Sequence, residues 1–220
     1  MARDIGAHDE LVGRLPELDV LRWTLEKDAA LRPTPTAVIV LDRSPDRDRL
    51  ERRVDLTSRR HPWLRSRVVG HPLDLAPPQW EPDPRTDLRY HLRWARAARG
   101  GPTADLFDVV EPLAERGFDR ARPPWELTVV EGLADGRAAL VARVHPILGD
   151  GDVDHWWLLR ALTDRERTPD IAPEDEPLPP VPAAPRRSAW RRLSTAIDAE
   201  LRRRATGAGR TLVQALTAAD

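Results

Sequence analysis

Hydrophobic and polar positions follow two different periods along the first 165 residues of the chain. In one class of segment, apolar residues recur every three or four positions, as Leu50, Val54 and Thr57 do between charged neighbours. This spacing places the apolar side chains on one face of a helix. The predicted helices cover residues 11–31, 46–60, 103–117 and 153–163.

Strands are predicted where apolar residues run together or alternate with polar ones. The segment around Tyr90 and Trp94 alternates with charged residues, which is typical of a strand with one buried face. Asp135-Gly136 is a strong hairpin-turn signal between two apolar runs. The predicted strands are Ala37–Leu41, Leu64–Val69, a short edge strand starting at Pro77, Leu88–Ala95, Trp125–Glu131 and Arg137–His145. The order of elements predicts an α/β (α+β) lobe with a mixed sheet flanked by helices.

The composition changes after residue 165. Residues 169–185 contain seven prolines, which predicts a semi-extended linker. A helical pattern rich in arginine then returns, with Trp190 and Ile197 on its apolar stripe. From the residues alone, docking against another part of the protein, simple solvation and contact with anionic lipid are the alternatives for such a helix. The predicted organisation is a lobe over 1–165, a Pro-rich linker over 166–186 and an Arg-rich helical tail over 187–220.

Composition and charge exclude several classes of function. The 220 residues include no cysteine, which excludes disulfide frameworks, thiol nucleophiles, zinc fingers and iron–sulfur clusters. Lys and Arg number 35 against 36 Asp and Glu, so a nucleic-acid partner is not expected. The N-terminus has no secretory signal, and no apolar stretch approaches the ~18 residues of a membrane span. We therefore expect a cytoplasmic protein with at most peripheral membrane contact.

The densest group of polar residues is the segment HPILGDGDVDH, residues 145–155, where a predicted strand ends and a helix begins. Its alternating aspartates resemble the start of an EF-hand loop. However, the sixth position is His155 rather than glycine and the twelfth is Ala161 rather than glutamate, so no metal site is predicted. The residues alone leave two readings open: capping of the following helix, or a histidine base beside an aspartate for acyl transfer.

Six short motifs along the chain indicate the family that it resembles. They are LPELD at Leu15–Asp19, RHPWLRSRVV at Arg60–Val69, PQWEPDPRTDLRYHL at Pro78–Leu92, FDRARPPWE at Phe118–Glu126, VEGLADGR at Val130–Arg137 and VHPILGDG at Val144–Gly151. In their order and spacing, residues 14–163 resemble the N-terminal half of the bacterial wax ester synthase / diacylglycerol acyltransferase family, which belongs to the CoA-dependent acyltransferases with the HHxxxDG motif. The resemblance implies a chloramphenicol-acetyltransferase-like lobe. It also implies a role in lipid and triacylglycerol biosynthesis, with acyl-CoA as co-substrate and no bound cofactor.

The resemblance also implies roles for single residues, and one of them is broken. His145 matches the first motif histidine, Asp150 the structural aspartate and Gly151 the glycine of the tight turn. The second histidine, which is the family's general base, is replaced by Pro146, and proline cannot accept a proton. Two residues are candidates to replace this base. They are His145, if it turns toward the channel between the two lobes of the family's fold, and His155, if it reaches in from the next helix.

Two hypotheses about function follow from the resemblance. In the first, the chain is the N-terminal lobe of an O-acyltransferase that moves a fatty acyl group from acyl-CoA to a long-chain alcohol or diacylglycerol. A C-terminal lobe from a partner chain or a homo-oligomer would then complete it, and the enzyme would work at a membrane or lipid droplet. In the second, the chain is a catalytically degenerate single lobe that binds a partner or an acyl ligand. Pro146 and the missing C-terminal lobe favour the second hypothesis for this polypeptide, whereas the overall resemblance favours the first for its lineage.

Overall fold

A computed structural model of the chain describes residues 14–71, 76–98 and 103–148. The predicted helix over 153–163, the linker over 166–186 and the tail over 187–220 lie outside the described residues, as do Asp150, Gly151 and His155. The described ranges therefore test the predicted lobe up to the first half of the HPILGDG motif.

Helices and strands alternate through these ranges. The helices are α1 (Glu17–Leu25), α2 (Arg47–Arg60), α3 (Leu88–His91) and α4 (Thr103–Glu115). The strands are β1 (Thr36–Leu41), β2 (Ser66–Val69), β3 (Gln79–Pro82), β4 (Leu92–Arg96), β5 (Trp125–Glu131) and β6 (Ala138–Val144). Single 3-10 turns cover Pro62–Arg65, Ala134–Gly136 and Pro146–Leu148. None of the helices in these ranges has the length and apolar character required to cross a bilayer.

The main sheet has the strand order β1-β6-β5-β4 and is mixed, as the sequence predicts. Strand β6 is antiparallel to both β1 and β5, whereas β4 runs parallel to β5. Strands β2 and β3 form a separate antiparallel pair. Every residue of β6 is buried, so the strand that leads into the HPILGDG motif lies at the centre of the lobe.

Apolar side chains cover both faces of the main sheet, because neighbouring residues of a strand point to opposite sides. Leu127 and Val129 of β5 belong to a large cluster that includes Trp23 of α1 and Val54 of α2. Their neighbour Val130 belongs to a second cluster, with α4 residues against the other face. Helices on both faces explain why β5 and β6 are apolar throughout rather than alternating.

Two predicted strands are shorter than expected, because their first residues form helical turns. The segment Leu88–Ala95 begins with α3, since the Asp87 side chain accepts a hydrogen bond from the backbone N–H of Arg89 and caps a helical turn. Likewise, the segment predicted from Leu64 begins with the 3-10 turn that starts at Pro62. The prediction of a strand from this alternation is therefore wrong over Leu88–His91 and right only from Leu92 onward.

The other elements agree closely with the sequence. Asp46 caps α2 by accepting a hydrogen bond from the Arg49 N–H at 2.8 Å, which confirms the predicted helix start. The β5–β6 hairpin is confirmed, and its turn places Asp135 at φ 59° and Gly136 at φ 72°. Asp and Gly are residues that tolerate this left-handed conformation. The first helix is shorter than the predicted range 11–31, since it begins at Glu17, directly after Pro16, and ends at Leu25.

Candidate active site

The end of β6 positions the motif segment. After Val144, the backbone N–H of His145 donates to the Pro124 carbonyl at 3.0 Å, which continues the pairing with the chain before β5. The Leu148 N–H then donates back to the His145 carbonyl at 3.0 Å and closes a 3-10 turn that begins at Pro146. The predicted strand end is therefore present and is followed by a 3-10 turn, whereas the helix predicted after it lies outside the described residues.

The ring of His145 lies in the interior of the lobe. The residue is 0% exposed, and its Nδ1 accepts a hydrogen bond from the Ile147 N–H at 3.2 Å. An imidazole whose Nδ1 accepts in this way carries its proton on Nε2 when neutral. Trp23 meets the ring edge-on at a centroid distance of 5.2 Å, and Phe118 lies at 6.2 Å. His145 thus stabilises the motif turn through its hydrogen bond with Ile147, while its catalytic role stays a prediction.

Glu26 is the carboxylate nearest to this histidine in the contacts that the structure gives. It follows the last residue of α1 and is 3% exposed, with Oε2 at 3.7 Å from the His145 Nε2. Thr34 Oγ1 donates to Oε2 at 2.9 Å, and Arg32 Nε lies 3.2 Å from Oε1. The Phe118 N–H also donates to Oε1, at 3.4 Å. Glu26 therefore ties α1 to the chain before β5 and faces the proton-bearing side of His145.

A second buried ion-pair cluster lies beside the first. Arg143 of β6 is 1% exposed, and its Nη1 lies 3.2 Å from Oε2 of Glu126. Arg116 Nη2 donates to the same oxygen at 2.6 Å. Burial lowers the pKa of Arg143, and the negative charge of Glu126 opposes that shift. The Arg143 guanidinium also lies 4.7 Å from the ring centroid of Phe118, so this one ring contacts both clusters.

The Trp-Glu pair of the FDRARPPWE motif builds the core. Trp125 Nε1 donates to the Leu64 carbonyl at 2.8 Å, and the indole stacks on His91 at a centroid distance of 4.4 Å. His91 Nδ1 lies 2.8 Å from the Trp125 carbonyl, so Nδ1 carries the proton. Burial is the main cause that lowers the pKa of His91. Trp125 and His91 therefore hold the chain before β5 against α3 and the 3-10 turn at Pro62–Arg65.

The structure brings together some of the predicted site residues and leaves others undescribed. His145 and Pro146 are adjacent and both buried, and Pro146 supplies no group that accepts a proton. Asp150, Gly151 and His155 stay predictions, because they lie outside the described residues. Within the described ranges, no cluster of three or more His, Asp or Glu side chains could hold a metal ion.

Sequence reasoning missed Glu26, Arg143 and Phe118 as neighbours of the motif. Glu26 lies in the hydrophilic run LEKD, which gives no sign that its side chain is buried. Arg143 interrupts an apolar strand, and a charge at such a position is a signal that a buried partner exists. Only the pairing of β6 with β5 identifies that partner as Glu126, which lies opposite Arg143 in register.

Comparison with known proteins adds the family. A family model described as the wax ester synthase/diacylglycerol acyltransferase catalytic domain matches residues 15–220. A "Putative diacyglycerol O-acyltransferase" of Mycobacterium tuberculosis is 34% identical over 177 residues, which cover 80% of this chain and 35% of that protein. A "Probable diacyglycerol O-acyltransferase" of the same species is 31% identical over 169 residues, which cover 75% of this chain and 61% of that protein. The chain therefore spans about a third to three-fifths of the length of these relatives.

Solved structures show the fold. The X-domain from teicoplanin biosynthesis is 22% identical to this chain, with a TM-score of 0.50 over 67% of this chain and 29% of that one. The starter condensation domain of rhizomide synthetase is 11% identical, also with a TM-score of 0.50, over 65% of this chain and 35% of that one. The predicted α/β lobe with a mixed sheet flanked by helices is thus confirmed.

Proposed function

Because the chain belongs to the wax ester synthase/diacylglycerol acyltransferase family, we propose that it is the N-terminal lobe of an O-acyltransferase. Its reaction moves a fatty acyl group from acyl-CoA to a long-chain alcohol or diacylglycerol. The hydroxyl oxygen attacks the thioester carbonyl carbon, the carbon–sulfur bond breaks, and the hydroxyl proton ends on the CoA sulfur. The observation that carries this proposal is the family match, which begins at residue 15 and runs through the motif at the end of β6.

In this proposal a second lobe completes the channel. The relatives of this chain are longer than the part it matches, so the second half of the site corresponds to sequence beyond that part. A partner chain, a second copy or further sequence of the same protein are the three possible sources. The acceptor is a lipid, so we place the working enzyme in the cytoplasm, in peripheral contact with a membrane or a lipid droplet.

The geometry supports a positioning role for His145. Its Nδ1 is engaged by the Ile147 N–H and its ring is enclosed by Trp23 and Phe118, so it fixes the turn rather than facing a substrate. We assign Asp150 to orienting this loop and Gly151 to its tight turn. Since position 146 lacks a base, the proton acceptor has to come from elsewhere, and His155 is the candidate within this chain.

The test measures ester formation from palmitoyl-CoA and hexadecanol by the full chain, mixed with the C-terminal lobe of a relative. In a His155→Ala background, we expect Pro146→His to raise the rate by roughly 10²–10⁴, the usual contribution of a positioned base. Pro146→Ala is the matched control, because it removes the same ring without adding a base. Failure of Pro146→His to exceed Pro146→Ala, with both proteins folded, would refute the proposed site.

A second function is favoured by one observation, the replacement of the base by Pro146. In that case the lobe binds an acyl ligand or a partner without turnover. The two functions differ in the unmodified chain: the enzyme forms ester and loses this activity when His155 is changed to Ala, whereas the binding protein forms no ester above the rate measured without protein. Retained binding of palmitoyl-CoA together with zero turnover would establish the second function.

A further inference from the structure

A cleft of about 750 Å³ lies beside α1, on the side of the lobe that carries β2. It is separate from the buried contacts of His145, but one of its walls is Trp23, whose ring covers that histidine. Most of the other side chains that line the cleft are apolar or cationic. The apolar group is Leu15, Val20, Val68, Val69, Ala76, Pro77 and Pro78, and the cationic group is Lys27, Arg67 and Arg120.

The described residues give no ion pair for these three cations, although the negative charge of the buried Glu26 acts on Arg120. Lys27 is exposed at the end of α1, and Arg67 and Arg120 are half-buried. The Arg67 Nε is enclosed without a hydrogen-bond acceptor in the described part of the chain. Glu17 is the acidic residue among those that line the cleft. The wall therefore carries a surplus of positive charge, whereas the whole chain has a net charge of −1.

Arg120 is held in place by Trp23 rather than by an acid. Its Nη1 donates to the Trp23 carbonyl at 2.9 Å, and its guanidinium lies 4.1 Å over the indole ring. Burial lowers the pKa of Arg120, and the negative charge of Glu26 opposes that shift. A guanidinium fixed in this way presents its remaining N–H groups in a rigid fork, the arrangement that matches phosphate.

We propose that this cleft binds a phosphorylated amphiphile, with its phosphate against Lys27, Arg67 and Arg120 and its hydrocarbon chain against the apolar wall. An enclosed cationic N–H without an acceptor, as at the Arg67 Nε, is costly, and an anion in the cleft would supply the missing acceptor. Three cations suit a phosphate, which carries up to two negative charges, better than a single carboxylate. The phosphate belongs either to the CoA part of an acyl-CoA or to the head group of a phospholipid, since both join this group to a long chain.

The experiment titrates the full chain with dodecyl phosphate, palmitoyl-CoA and dodecanol, followed by calorimetry. We expect the two phosphorylated probes to bind and dodecanol to bind at least tenfold more weakly. Lys27→Gln and Arg67→Gln should each weaken binding by about tenfold or more, the usual effect of removing a charged hydrogen-bond donor. Arg43→Gln, an exposed arginine that does not line the cleft, is the matched control and should bind as the unmodified chain does.

Lys27 is exposed, so its replacement leaves the fold intact and keeps the test valid if an Arg67 variant unfolds. Thermal melting of each variant identifies such a case. Binding of palmitoyl-CoA but not dodecyl phosphate assigns the site to CoA esters, and binding of both assigns it to phosphorylated lipids in general. Equal affinity of Lys27→Gln and Arg43→Gln for both phosphorylated probes would overturn the proposal. Because no turnover is measured, this result is independent of the proposed acyl transfer.

Discussion

Replacement of Glu26 by alanine probes the contact between α1 and the motif strand. The carboxylate is 3% exposed and accepts from Thr34 Oγ1 at 2.9 Å and from the Phe118 N–H at 3.4 Å. It also lies 3.2 Å from Arg32 Nε and 3.7 Å from His145 Nε2. Glu26→Ala removes the carboxylate from all of these contacts at once, and Arg32 keeps only its hydrogen bonds to the backbone carbonyls of Glu26 and Glu115.

The expected cost follows from burial on both sides of the main ion pair. The side chains of Glu26 and Arg32 are 2% and 13% exposed, so solvent screens their interaction weakly. Removing one partner of a buried pair typically costs about 3–5 kcal/mol, because the other charge stays desolvated. For a chain of this size, each kcal/mol lowers Tm by about 2–4 °C, so we expect a fall of roughly 6–20 °C. Glu26→Gln keeps an acceptor for Thr34 and should lose about half as much.

Thermal melting followed by near-ultraviolet circular dichroism at pH 7 measures these differences. Glu17→Ala is the control, since Glu17 begins the same helix on an exposed position. Near-ultraviolet signals report the packing of the indole of Trp23, which contacts the His145 ring. A Tm for Glu26→Ala within 2 °C of the Glu17→Ala value would show that the buried carboxylate contributes nothing, and the argument from burial would fail.

Three further predictions concern the core and one turn. Burial lowers the pKa of His91 below the ordinary histidine value of about 6.5, so the unfolded chain binds the proton first. The free energy of unfolding should therefore fall as pH drops below about 6.5, and His91→Asn should reduce that slope in urea titrations at pH 7.5 and 5.5. Gly132 has φ +78°, so Gly132→Ala should cost about 1–2 kcal/mol, whereas Gly70→Ala, whose Cβ meets nothing within 4 Å, should not; a shared urea midpoint would contradict this. Trp125→Phe removes the donor to the Leu64 carbonyl and should cost at least about 1–3 kcal/mol by the same urea assay, and an unchanged midpoint would refute the role of that hydrogen bond.

Much of the fold could be predicted from the sequence, because burial and turn chemistry leave local patterns. The apolar runs of β5 and β6 and the Asp135-Gly136 turn gave the central hairpin without any tertiary information. The sequence pattern fails where a short-range hydrogen bond competes with alternation. At Asp87 a side-chain cap turns the next residues into α3, and period two alone carries no information about that competition.

The candidate site was predictable in its place but not in its contacts. The motif directed attention to the end of β6, where the structure places His145 and a 3-10 turn over Pro146–Leu148. The partner Glu26 is over a hundred residues away in sequence and is embedded in a hydrophilic run, so only the packing of α1 against the motif turn brings it close. The cations of the cleft could not be singled out from the sequence either, since arginine is common throughout this chain.

The pairing of β1 with β6 sets the order in which the lobe is completed during synthesis. Thr36 lies opposite Arg143, so β1 leaves the ribosome roughly a hundred residues before its only neighbour in the described sheet exists. At translation rates of about 5–20 residues per second, this interval lasts about 5–20 s. Throughout that time the run TAVIVL has two open edges and no charge to protect them, which is the composition of an aggregation-prone segment. We therefore expect newly made chains to aggregate most readily before β6 emerges and pairs with β1.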